Sequence, residues 1–368
     1  MKDVCVPFVI ALLSRIVIFF TGIVWNLTHD TQQTVFELLY KLDAGWYQNI
    51  IEKGYMKTPY DIGQPGAANW AFFPLYPLIT GLISETAGIT SIIIGPIVSS
   101  VFFIIAVMVI FQYVSLTRNR EDAILAVTLI SFGPYSFYFS CFYTESLFLL
   151  LVALSFYFME KEKWIAAGVC GALLSATRPT GVLVFFPILV KMIMSYDSGK
   201  EGLINLAKRI IRDEKKVLAL SIVPLGLFAF ATYLYFLIGD PFAFKNVEIA
   251  WERDLSNPVV VLYRGFSGSL AHKYLALWGT FGIACSVFLY YQKKYSEAIF
   301  GFVLLSISAS TAVFSLPRYF VGSLVLVLAV SDIVGKRNSI KWPVICFLST
   351  MNILLLLLWF LGKYSVIQ

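Results

Sequence analysis

Charge is scarce in this chain. Only 14% of its 368 residues are Asp, Glu, Lys or Arg, where soluble globular domains carry about a quarter. With 59% hydrophobic residues and a mean hydropathy of +0.79, that deficit excludes an ordinary soluble domain. Histidine is almost missing: His29 and His272 are isolated, and a solvated loop explains each, so no zinc or di-metal spacing can be built. The five cysteines (Cys5, Cys141, Cys170, Cys285, Cys346) lack metal-ligand or paired spacing. Four lie in or beside apolar runs, where Cys acts as a small hydrophobe, and no structural disulfide is expected. A Walker loop, a dinucleotide fingerprint and a metal-holding DxD are absent too. Metal and cofactor are therefore not expected. No internal repeat, low-complexity tract or separately folding soluble domain is visible.

Long apolar runs are what the chain has instead, about the 20 residues needed to cross hydrocarbon. The first, roughly 6–27, is too long for a signal-peptide core and lacks a small-residue cleavage site; it reads as a spanning helix. Further candidates are roughly 91–116, 121–139, 143–159, 163–177, 180–195, 217–238, 269–291, 297–315, 317–334 and 342–361. With the N-terminus in the cytoplasm, inside loops collect 17 Lys and Arg against 10 outside, with Arg15 within the membrane, while acids divide 11 and 11. This agrees with the positive-inside rule. Counting residues 71–90, "AFFPLYPLITGLISETAGIT", as a crossing would reverse that bias, so they read as a re-entrant or interfacial hairpin. The expectation is an all-α polytopic membrane protein over residues 1–368, with eleven crossings and two long outside loops, 28–90 and 239–268. Long loops in compact proteins are usually functional.

The unusual residues gather on the outside face. In "KLDAGWYQNIIEKGY", 41–55, helical winding puts Lys41, Gln48 and Glu52 on a polar side and Trp46, Tyr47, Ile50 and Gly54 on an apolar one, with Asp43 in the middle of the latter. Asp43 reads as a helix N-cap, as a carboxylate that accepts a proton from a substrate hydroxyl, or as both. Glu145, after Tyr143 in "FYFSCFYTESLFLLL", is either a cap with Thr144 or a group facing a polar cavity. Arg178 in "SATRPTG" and Arg318 in "FSLPRYF" sit at tight outside turns, where they anchor lipid headgroups or hold phosphate. Arg15 lies mid-span and calls for a carboxylate or lipid-phosphate partner. In "GDPFAFKNVEIAWERD", Lys245, Trp251 and Arg253 suggest an amphipathic helix that contacts lipid or acceptor.

The blocks "LDAGWYQNIIEKGY", "AFFPLYPLI", "YTESLFLL", "TRPTG" and "GDPFAFKNVEIAWERD", in this order over about 14–254, resemble the PIG-V-like family of integral-membrane mannosyltransferases, of the GT-C class. The resemblance implies an inverting glycosyltransferase that takes a sugar, mannose in this family, from a polyprenyl-phosphate carrier outside the cytoplasm, without nucleotide. The acceptor is a glycolipid, a glycan or a protein. Asp43 matches the catalytic acid of the first outside loop, and Glu145 and Arg178 fall on the "TES" and "RPTG" positions. Leu42 stands where many members have a larger residue. On this reading Asp43 deprotonates the acceptor, Arg178 holds the donor phosphate with Arg318 as a second candidate, Glu145 orients the sugar or pairs with an arginine, and Trp46, Tyr47 and Trp70 offer aromatic faces. The membrane is a prokaryotic plasma membrane, or the endoplasmic reticulum in a eukaryote. A transporter or flippase of lipid-linked sugars is the rival reading, since buried charges and broken helices suit both; a silent structural subunit is a third.

Overall fold

The computed structural model describes residues 2–62, 64–196 and 203–367; among these there are helices and turns but no strand. The first helix, Lys2–His29, shows the governing solvent. Leu13, Ile16, Phe20, Ile23 and Leu27, three or four residues apart, form an exposed apolar stripe, while Ala11, Ser14, Arg15 and Ile18 are buried on the other side. Polar Ser14 and Arg15 inward and large apolar groups outward is the reverse of a water-soluble helix, and it is the arrangement hydrocarbon favours.

Four helices, Cys5–His29, Ser91–Thr117, Leu270–Tyr291 and Ser339–Phe360, are long and apolar enough to cross a membrane. Two helix pairs qualify if each is one bent span: Glu214–Ile222 with Leu225–Ile238, bent by 42°, and Leu316–Gly322 with Val325–Gly335, bent by 72°. Length and composition thus give four to six spans among the described residues, where eleven are expected. The other expected runs do fall on helices, but short ones: Arg120–Phe132, Glu145–Glu160, Trp164–Ser175, Phe185–Met194 and Tyr295–Ala309. At 1.5 Å per residue these are about 15 to 24 Å long, against about 30 Å of hydrocarbon.

The run 121–139 ends early because Gly133 and Pro134 stop the helix at Phe132, and a 3-10 turn, Ser136–Ser140, follows. Carbonyls freed at this break are what Arg15 satisfies. Its guanidinium donates to Ser131 O (3.2 Å), Ser136 O (2.9 Å), Ser136 Oγ (2.6 Å) and Ser140 Oγ (3.1 Å), and lies 4.1 Å from the centre of the Phe103 ring. The expected carboxylate or phosphate partner is replaced by neutral acceptors. Residues 71–90 also differ from expectation. Instead of a hairpin they form one helix, Leu75–Ala87, that starts after Pro74 and stops at Gly88, whose φ of 66° caps its end. Both prolines are accommodated because a helix's first turn leaves its N–H groups unpaired. The second long loop, 239–268, holds a short helix, Ala243–Asn246, running into a 3-10 turn, Val247–Trp251, instead of one amphipathic helix.

Ser91–Thr117 is buried along most of its length and packs against Glu145–Glu160, so the start of the latter, with Glu145, is fixed deep in the bundle. Opposite it, the chain turns from Trp164–Ser175 into the 3-10 segment Pro179–Val184 through Arg178. That turn is tight: a Cβ on Gly181 would lie 2.1 Å from Leu174 O. Replacing Gly181 by Ala is therefore expected to destabilise the protein by about 1–3 kcal/mol. Gly322→Ala, where a Cβ meets nothing within 4 Å, is expected to be neutral. Thermal unfolding of the two variants in detergent checks this; equal midpoints would contradict the close approach.

Candidate active site

Four charged side chains from four distant parts of the chain form one chain of ion pairs. Glu145 opens its helix and is 2% exposed, with the helix dipole favouring its charge. Its Oε1 accepts from Arg178 Nη2 (2.5 Å), Arg318 Nη2 (2.7 Å) and Arg318 Nε (2.9 Å). Arg318 reaches on to Asp43, with Nη1 and Nη2 each 3.1 Å from Oδ2. Arg178 Nε donates to Thr144 Oγ1 at 2.6 Å. Two cations and two anions balance, and Glu145 Oε2 has no hydrogen-bond partner among the described residues.

Local backbone explains these positions. Arg178 is extended, as the residue before a proline prefers. Arg318 sits in the first turn of Leu316–Gly322, entered through Ser315 with φ 68°, and its guanidinium carbon lies 5.0 Å and 4.8 Å from the ring centres of Tyr138 and Tyr143. Asp43 precedes the helix Ala44–Lys53 but makes no side-chain cap bond, so its carboxylate is free of that duty. Leu42 is held at φ 50°, a strained conformation for a leucine. Tyr143 pins this turn, its hydroxyl donating to Lys41 O (3.0 Å) and accepting from Asp43 N (3.3 Å).

Asp43, Tyr47, Arg178 and Arg318 wall a cavity of about 110 Å³ together with Phe72, Phe73, Glu248, Trp251, Arg253 and Tyr319. Arg253 Nη2 donates to Ser315 Oγ at 3.2 Å, and the guanidinium has no carboxylate partner within 4 Å among the described residues. Burial pushes the Glu248 carboxyl above its usual range, against the pull of Arg253 and Lys245. A larger, mainly apolar groove of about 500 Å³ adjoins the cavity, sharing Pro179, Glu248, Arg253 and Tyr319 and extending past Leu183, Phe244, Lys245 and Ile307.

Of the residues singled out in the sequence, Asp43, Tyr47, Arg178, Arg318, Trp251 and Arg253 meet at the cavity, and Lys245 lies in the groove. Glu145 and Tyr143 lie behind the arginines and do not line it. Trp46 stands one ring back, stacked on Phe72 at 5.7 Å and edge-on to Trp251 at 5.6 Å. Trp70 is elsewhere, its indole N–H donating to Met56 O at 2.7 Å. Sequence reading passed over Glu248, Tyr319, Phe72 and Tyr138. Glu248 was legible only as an acid between Lys245 and Trp251, and Tyr319 as the neighbour of Arg318. Among the described residues no three His, Cys, Asp or Glu side chains are grouped as metal ligands.

No protein-family model matches the chain, and no curated protein matches it. Among solved structures it is similar to the Archaeoglobus fulgidus oligosaccharyltransferase. The complex with zinc and sulfate gives a TM-score of 0.48 at 10% identity, covering 99% of this chain and 53% of that one. The form tethered to an acceptor peptide gives 0.47 at 10% identity, with 100% and 54% covered. The apo form gives 0.47 at 13% identity, with the same coverage. The chain thus spans about half the length of these proteins.

Removing one partner of a buried pair strands the other charge. Glu145→Gln leaves two guanidiniums facing each other and is expected to cost about 3–5 kcal/mol, while Asp43→Asn, at a side chain 35% exposed, costs about 1 kcal/mol. Denaturation midpoints of the two variants check the order. Glu248 gives a separate test. A carboxyl whose folded pKa is raised stabilises the fold when protonated, and loses that contribution as pH rises from the unfolded value through the folded one. Glu248→Gln is therefore expected to be more stable than the parent at neutral pH, with the difference vanishing in acid. A pH-independent difference would contradict it.

Proposed function

We propose that this chain is a glycosyltransferase of GT-C type, an inverting mannosyltransferase that uses a polyprenyl-phosphate sugar outside the cytoplasm. One observation carries the reading: Asp43 faces a cavity with one carboxylate oxygen held by a doubly paired arginine, while two other arginines on the same wall keep N–H groups free. Four of the five N–H donors of Arg318 go to Asp43 and Glu145. Arg318 is thereby suited to orient the base, and its sequence-derived phosphate role passes to Arg253, beside Arg178. Arg178 Nη1 has no hydrogen bond among the described residues.

Asp43 Oδ1 receives the proton of an acceptor hydroxyl as that oxygen attacks the anomeric carbon. The carbon–oxygen bond to the phosphate breaks on the far side of the carbon, and its electron pair leaves with the lipid phosphate. Arg178 and Arg253 take up the charge developing there, an effect worth several kcal/mol in a dry site. The adjoining apolar groove, meeting the cavity at Arg253 and Tyr319, suits an isoprenoid chain. Glycolipid, glycan or protein acceptors approach from the side of Trp46 and Trp251. Glu145, behind the arginines, aligns them without touching substrate.

Membrane fractions given radiolabelled polyprenyl-phosphate mannose test the reading. Asp43→Asn is expected to lower transfer by a factor on the order of 10²–10⁴, Glu52→Gln, on the exposed side of the same helix, to leave it intact, and Arg253→Gln to raise the donor KM. Normal transfer by Asp43→Asn would sink the assignment of the base. Movement of intact donor across the membrane with no product would favour the flippase reading.

A further inference from the structure

A second ion-pair cluster lies far from the first. Arg118 binds Glu297 through Nη1 (3.0 Å) and Nη2 (2.8 Å) and Asp332 through Nε (2.6 Å) and Nη2 (2.8 Å), and Tyr113 donates to Glu297 at 2.6 Å. This knot fixes the end of Ser91–Thr117 against the start of Tyr295–Ala309. Beside it opens a pocket of about 270 Å³. The helix that begins with Glu145 in the candidate active site ends with Glu160 in this pocket, so the two sites are about 24 Å apart along its 16 residues.

The pocket has the polarity of an amphiphile. Phe156 and Met159 are buried in its wall, and Leu116 and Met194, each 45% exposed, extend the apolar side outward. Lys191, Lys293 and Lys294 supply the basic side. Glu160 is paired with Lys191 at 2.7 Å, and Glu297 shares Arg118 with Asp332, so with Lys293 and Lys294 the cluster carries one net positive charge. Lys294 Nζ donates to Thr117 O, a neutral acceptor, at 3.1 Å; Lys293 is exposed, its amine without a partner among the described residues, on a backbone at φ 60°. The first turn of Tyr295–Ala309 receives no side-chain cap, which leaves amide N–H groups for an anion. Uncompensated positive charge, free amides and an exposed apolar flank meet at one place.

We propose that this pocket binds the phosphate headgroup of an anionic membrane lipid, with an acyl chain along Leu116 and Met194. A soluble phosphate would find the same cations but has no use for the apolar flank. Basic side chains near a lipid surface each contribute about 1 kcal/mol of attraction, and here Lys293 and Lys294, unlike Lys191, have no carboxylate partner within 4 Å among the described residues.

The test is thermal unfolding of the full chain in neutral detergent, titrated with phosphatidylglycerol, phosphatidylcholine or glycerol phosphate. Phosphatidylglycerol is expected to raise the midpoint, and phosphatidylcholine and glycerol phosphate to leave it unchanged. Lys293→Glu is expected to weaken the apparent phosphatidylglycerol affinity by about tenfold or more. Lys163→Glu, the same charge change at an exposed residue outside the pocket, is expected to preserve it. Equal loss in both variants would reduce the effect to overall charge and overturn the site. An equal response to glycerol phosphate would overturn the lipid in favour of a soluble ligand, and an equal response to phosphatidylcholine would remove the role of anionic charge. None of these outcomes bears on sugar transfer, so this site and the proposed activity stand or fall separately.

Discussion

A single carboxylate oxygen, Glu145 Oε1, accepts three N–H groups from two arginines. In an apolar interior neither guanidinium would be tolerated alone, and neither would the carboxylate. The pairing therefore fixes three separate pieces of chain relative to one another: the start of Glu145–Glu160, the turn at Arg178 and the first turn of Leu316–Gly322. Asp43 joins through Arg318, and Tyr138 and Tyr143 close over the same guanidinium. The geometry of the cavity is a consequence of this charge balance.

The outer wall obeys a different rule. Trp46, Phe72 and Trp251 pack ring against ring between the two long loops, burying large apolar area with few torsions to order. These contacts join Ala44–Lys53 to Val247–Trp251 above the ion pairs, and they bring Glu248 and Arg253 to the cavity. The ion pairs thus lie between an aromatic cover and a helical base. The base is itself held at a helix break by Arg15, whose neutral acceptors come from Ser131, Ser136 and Ser140.

Much was legible in advance because its causes are local. Apolar runs set the helices, Pro179 and Gly181 set the turn at Arg178, Pro317 starts the helix that carries Arg318, and the amphipathic pattern of 41–55 set Ala44–Lys53. Span number was not legible: a run of apolar residues looks the same whether it crosses a bilayer or stops halfway, and Gly133–Pro134 stops one of them. The expected hairpin at 71–90 failed for a similar reason, since two prolines at a helix start are compatible with a helix.

Residue types at the site were read from sequence, but their division of labour was not. That Asp43, Arg178 and Arg318 are costly to bury follows from composition alone, as does the expectation that they find partners. Which partners they find depends on contacts across 33 to 275 residues of sequence separation, and no periodicity encodes those. Only the tertiary structure made Arg318 a clamp on Asp43, left Arg253 without a carboxylate partner among the described residues, and put Trp70 against Met56 away from the cavity. Solvent preference acts residue by residue and is written in the sequence; electrostatic pairing acts between residues that only folding brings within 4 Å.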